Sequence, residues 1–130
     1  MGFGKKKKKH DHLDMNYLDL TPVRIYQHVE KPDGLIDVLV PKFKNKLMVR
    51  LTTRVKNPYI KANLDAFGTE TWLQMDGNNT VARIAGKLTE KFGEEIQPVN
   101  DRLTKFLTQL YTYGFISFNE LKGDDNGKKS

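Results

Sequence analysis

Few residues of this 130-residue chain are of the types that do chemistry, and their spacing assembles no reaction centre. There is no Cys, which removes thiol nucleophiles, disulfides and thiolate metal sites. His10 and His12 flank Asp11 and could chelate a stray metal ion, but no third protein ligand stands in a rigid setting beside them. His28 falls on the polar side of an alternating apolar–polar run. Asp65 with Glu70, and Glu94 with Glu95, are better explained as cap and surface carboxylates than as an acid–base pair. No Ser–His–Asp set, glycine-rich phosphate loop or HExxH run is present. The expectation is a protein with no catalytic residue, no metal and no cofactor.

Charge is the other chemistry on offer. Lys42, Lys44, Lys46, Arg50, Arg54 and Lys56 form a basic segment with no acid inside it. If it is helical, Lys46, Arg50 and Arg54 stand in one row and concentrate positive potential. Such a row suits nucleic acid, an acidic peptide or an acidic protein surface, although a solvated loop is the plainer reading. Lys5–Lys9 could attract anionic lipid or RNA, yet only Phe3 accompanies it as an apolar anchor. The net charge of +6 divides accordingly. Residues 1–14 hold five Lys against two Asp, and residues 15–119 fourteen Lys and Arg against eleven acids. Half the excess therefore sits in the head of the chain.

That head also mimics the basic region of a signal peptide, but His10–Asp14 replaces the apolar stretch that would have to follow. A myristoylation pattern fails at Lys6, and no apolar run approaches the ~18 residues of a membrane span. The expected setting is the cytoplasm, with no membrane partner. Residues 1–16 and 120–130 read as polar, disordered tails around one folded domain at 17–119.

The elements that must position any site follow from periodicity. Val23–Glu30 alternates as a half-buried strand, Lys31–Gly34 supplies turn chemistry, and Leu35–Val40 makes the second strand of a hairpin. Residues 41–57 fit a short helix or an irregular excursion. Pro58–Leu64 reads as a third strand, with Pro58 at its start where a missing N–H does least harm. Three helices come next. Asp65 caps the first and Gly77 is placed to follow its end. Thr80 caps the second, which turns Val81, Ile84, Ala85 and Leu88 inward and closes at Gly93. Pro98 suits the first turn of the third, whose stripe is Val99, Leu103, Phe106, Leu107 and Leu110, with Gly114 ending it. Phe115–Phe118 is a short strand or tail laid on the core.

The second half resembles the PqqD family, small peptide-recognition proteins known from pyrroloquinoline quinone biosynthesis. The resemblance rests on Leu64–Trp72, the Met75–Asp76–Gly77 turn, Thr80–Val81, Phe92–Gly93, and the closing run Leu110-Tyr-Thr-Tyr-Gly-Phe-Ile116. It covers about Pro58–Phe118. It implies an α+β, winged-helix-like fold, a three-stranded antiparallel sheet followed by a three-helix bundle and a short C-terminal strand or tail. It further implies a non-catalytic role, in which a precursor or leader peptide docks in extended form and is presented to a radical S-adenosylmethionine enzyme or another modifying enzyme. Carried onto this chain, the peptide lies along Tyr59, Ile60, Lys61, Ala62 and Asn63. The facing helix contributes Arg102, Lys105, Gln109 and Tyr113. The rival expectation is a winged-helix nucleic-acid reader inserting its third helix in a groove. It ranks lower because Glu94, Glu95 and Asp101 crowd the end of the helix where a phosphate would sit.

Overall fold

Proline or glycine stands in several of the turns between strands and helices. The computed structural model describes residues 16–42 and 57–121. They form β1 (Pro22–Arg24), β2 (His28–Glu30), β3 (Ile36–Pro41), β4 (Tyr59–Asn63), α1 (Ala66–Gln74), α2 (Val81–Phe92), α3 (Val99–Thr112) and β5 (Ile116–Phe118). Short 3-10 turns occur at Tyr17–Asp19 and Gly93–Ile96. The architecture is α+β and winged-helix-like, with a three-stranded antiparallel sheet, then three helices, then a closing strand. Two compact units result, Tyr26–Thr69 and the residues up to Ile25 together with those from Glu70 onward. Among the described residues no helix is long and apolar enough to cross a membrane.

In the Tyr26–Thr69 unit, the strand order is β2-β3-β4. The hairpin turn forms as its residues dictate. Pro32 and Asp33 occupy the centre, the Gly34 N–H donates to the Lys31 carbonyl at 2.8 Å, and Gly34 takes φ +87°. The Asp33 carboxylate accepts the Leu35 N–H at 2.9 Å and tightens the exit. Ile36 and Val38 are fully buried, while the strand ends on half-buried residues. Asp65 caps α1 as expected, its Oδ1 accepting the Gly68 N–H at 2.8 Å. Thr69 Oγ1 accepts the Ile36 N–H at 3.0 Å, which satisfies a buried donor at the start of β3.

One expected element is two. The run Val23–Glu30 does not form a single strand, because it is interrupted over Ile25–Gln27 with a bend at Tyr26. Its first part, β1, pairs with β5 in the register Pro22↔Phe118, Val23↔Ser117, Arg24↔Ile116. Its second part, β2, pairs with β3 through His28↔Val38, Val29↔Asp37 and Glu30↔Ile36. Two different partners, each with its own backbone hydrogen bonds, win over one continuous alternation.

In the other unit, Trp72, Met75, Val81, Ile84, Leu88, Leu103, Leu107 and Ile116 are removed from solvent. The inward stripe expected for α2 is borne out in all four residues, and Thr80 Oγ1 caps it by accepting the Arg83 N–H at 3.2 Å. Along α3, Leu103, Leu107 and Leu110 are buried, with Val99 and Phe106 half-buried. Pro98 stands one position earlier than expected, in extended conformation at the N-cap rather than inside the first turn. The C-terminus of α3 is a Schellman ending. The Gly114 N–H donates to Tyr111 O at 3.1 Å and the Phe115 N–H to Leu110 O at 2.8 Å, with Gly114 at φ +82°. Gly77 serves a different turn from the one expected. α1 has already ended at Gln74, and Gly77, at φ +86°, donates to the Pro22 carbonyl at 3.3 Å. The Asn119 side chain in turn donates to Gly77 O at 3.1 Å.

Candidate functional site

The hydrogen-bond parity of the sheet determines what β4 offers. In an antiparallel ladder, alternate residues point their N–H and C=O groups to opposite sides of the strand. The register is Asp37↔Asn63, Val38↔Ala62, Leu39↔Lys61, Val40↔Ile60 and Pro41↔Tyr59. The Lys42 N–H donates to Pro58 O at 2.8 Å and the Leu64 N–H to Ile36 O at 3.0 Å. Even-numbered residues of β3 and β4 therefore face each other. On the β2 side, odd-numbered residues do so, since the Leu39 N–H donates to Gln27 O and the Lys31 N–H to Leu35 O, each at 2.8 Å. Pro41 thus directs its missing donor away from β4, where the ladder does not use it.

The odd-numbered residues of β4 direct their backbone groups outward, where no described strand pairs with them. Tyr59 is a partial exception. Its N–H donates to Asn57 Oδ1 at 3.3 Å in a turn of the Asx kind. The usable edge is therefore the N–H and C=O of Lys61 and Asn63, together with the Tyr59 carbonyl. Sequence reading did not find the role of Asn57, although the Asn57-Pro58 dipeptide carries a turn signal.

Side chains alternate likewise. Tyr59, Lys61 and Asn63 share a face with Asp37, and all three are exposed. Asp37 is only 6% exposed. It accepts from Asn63 Nδ2 at 2.6 Å and pairs with Lys31 Nζ at 3.1 Å. The Asn63 hydrogen bond, then the Lys31 ammonium and lastly the Lys61 charge, hold the Asp37 carboxyl below its ordinary value against the opposing effect of burial. A depressed folded-state pKa contributes stability that is present above the unfolded value and lost as pH falls through the folded one. Stability is therefore expected to fall as pH drops below about 4, near the ordinary carboxylate range. That acid slope flattens in Asp37→Asn, as read by urea unfolding at stepped pH. An unchanged slope would detach Asp37 from the effect.

On α3, Arg102, Lys105 and Gln109 are exposed at i, i+3 and i+7, and Tyr113, the residue after the helix, is 68% exposed. The structure thus places all four on the solvent side of the buried stripe. Arg102 is not a loose cation, because its Nη1 donates to Glu95 O at 3.1 Å. Glu94 and Glu95 in the preceding turn and Asp101 in the first turn are exposed. From the basic segment, Lys42 is exposed at the end of β3, whereas Lys44, Lys46, Arg50, Arg54 and Lys56 lie outside the described residues. So do Lys5–Lys9, His10 and His12.

Compared with known protein families, residues 59–116 match the family model described as coenzyme PQQ synthesis protein D (PqqD). The match begins at the first residue of β4 and ends at the first residue of β5, so it takes in the edge strand and all three helices. No curated protein and no solved structure matches the chain.

Proposed function

We propose that this chain, whose residues 59–116 match the PqqD family model, is a non-catalytic recognition domain for a ribosomal precursor peptide. The leader part of that peptide adds as a strand to the outer edge of β4, and the bound peptide is presented to a modifying enzyme. A radical S-adenosylmethionine enzyme is the partner class that the resemblance to that family favours. The observation carrying this reading is the parity of β4, which leaves backbone donors and acceptors at Lys61 and Asn63 with no described strand to pair with. Backbone pairing of this kind supplies affinity with little dependence on sequence, and side-chain contacts add selectivity.

Arg102, Lys105, Gln109 and Tyr113 are the side chains proposed to select the peptide. Replacing Arg102 and Lys105 together with Glu is expected to weaken an acidic peptide about tenfold or more while sparing a neutral one, as measured by calorimetric titration. Equal weakening of both peptides would remove these side chains from recognition.

The test of the proposal is capture from the native lysate by the full chain carrying a C-terminal tag, with Lys61→Pro and a nuclease-treated sample in parallel. Recovery of a short ribosomal peptide or a modifying enzyme, insensitive to nuclease and lost in Lys61→Pro, is the expected result. Retention of nucleic acid that falls with rising salt would favour the winged-helix nucleic-acid reading instead.

A further inference from the structure

The chemistry displayed along β4 goes further than an edge that accepts any extended chain. Its parity and its side-chain pairings specify which peptide residues fit. Because the Tyr59 N–H is already held by Asn57, reciprocal pairing with an added strand centres on Lys61 and Asn63. A peptide residue directly opposite Lys61 projects its side chain to the same face as the Lys61 side chain, about 5 Å away between Cβ atoms. On that face the Asp37 carboxylate is already satisfied by Asn63 and Lys31. Lys61 is exposed and, among the described residues, holds no carboxylate within salt-bridge distance. Lys61 also acts on Asp37 through space, but Lys31 and Lys61 together against the single Asp37 carboxylate leave a net positive charge at the centre of the edge. On the opposite face Ile60 is the most exposed apolar side chain of the strand, at 57%. An apolar neighbour would shield it.

We infer that the peptide taken up at β4 carries an acidic residue opposite Lys61 and, next to it in sequence, an apolar residue beside Ile60. This specification rests on the strand-addition reading and adds Lys61 to the side chains that select the peptide. The recognised chemistry is therefore an acidic–apolar dipeptide within an extended segment, and it is read mainly by charge. Because Lys61 is exposed, the charge preference shrinks as salt rises.

The experiment uses the full chain to select binders from a displayed library of random dodecapeptides, in parallel with Lys61→Glu and Lys61→Pro. The wild type is expected to enrich Asp or Glu followed or preceded by an apolar residue. Lys61→Glu is expected to enrich Lys or Arg at that same place. A synthetic acidic binder should bind Lys61→Glu about tenfold more weakly, the size of swing that attraction turned to repulsion across a strand pair gives. If selected peptides lose binding in Lys61→Pro yet show no acidic preference, or keep it unchanged in Lys61→Glu, the inference is overturned and strand addition stands. If the wild type selects nothing, or its binders are indifferent to Lys61→Pro, both readings are overturned. Should Lys61→Pro fail to fold, slowed exchange of the Lys61 amide on peptide binding to the wild type decides the same point.

Discussion

Lys61→Pro is expected to abolish strand-type peptide binding while leaving the protein folded. The Lys61 N–H points away from β3, so the substitution takes no bond from the existing ladder. An edge strand tolerates Pro at such a position. A bound peptide, by contrast, loses one backbone hydrogen bond and keeps a desolvated carbonyl opposite the ring. Together these cost roughly 2–4 kcal/mol, a loss of about thirtyfold or more in affinity. Ala62→Pro is the internal control. One residue along, the N–H points into the β3 pairing, and Val38 opposite it is fully buried. There the same substitution breaks the sheet, and Ile60→Pro acts the same way. Calorimetric titration with a selected peptide, paired with thermal unfolding, separates the two variants. Full binding by a folded Lys61→Pro protein would place the peptide elsewhere.

The second large effect concerns stability. Trp72 is wholly buried, whereas Leu73, its neighbour on α1, is 41% exposed. Trp72→Ala is expected to cost about 3–5 kcal/mol, since it removes the largest buried side chain and leaves a cavity that the surrounding helices fill only in part. Against a typical total of about 5–15 kcal/mol for a domain, that is a large fraction, and the urea midpoint should fall steeply. Leu73→Ala should stay within about 1 kcal/mol. Equal midpoints for the two variants would show that α1 does not bury the face described.

How far the sequence led can be followed in particular residues. α2 was legible from end to end. Thr80, the stripe Val81–Leu88 and Gly93 are local signals, and no competing partner overrides them. Gly114 was legible for the same reason, since a Schellman ending needs a positive φ at that position. The division of Val23–Glu30 into β1 and β2 was not legible. Alternation continues through both parts, and only the choice of pairing partner, Ser117 for Val23 against Asp37 for Val29, separates them. Gly77 misled because a glycine a few residues beyond a helical stripe reads as its ending, whereas a backbone bond to Pro22 holds it in another turn.

The candidate site divides along the same line. That Tyr59–Asn63 is a strand, and that Arg102, Lys105 and Gln109 stand opposite the buried stripe of α3, both follow from periodicity. Which residues of β4 own the outward donors does not. Parity depends on where β3 begins to pair, and a shift of one residue exchanges Lys61 for Ala62. The interception of the Tyr59 N–H by Asn57, and the joint claim of Asn63 and Lys31 on Asp37, likewise arise only once the strands are in register.

The measurement that tests strand addition at β4 most directly is residue-resolved amide exchange by NMR, with and without a peptide selected on the wild type. Under strand addition Ile60 and Ala62, bonded within the sheet, are protected in both states. Lys61 and Asn63 should exchange readily in the free protein and become protected when the peptide is bound. Saturating peptide that leaves the Lys61 and Asn63 amides exchanging as before would contradict it.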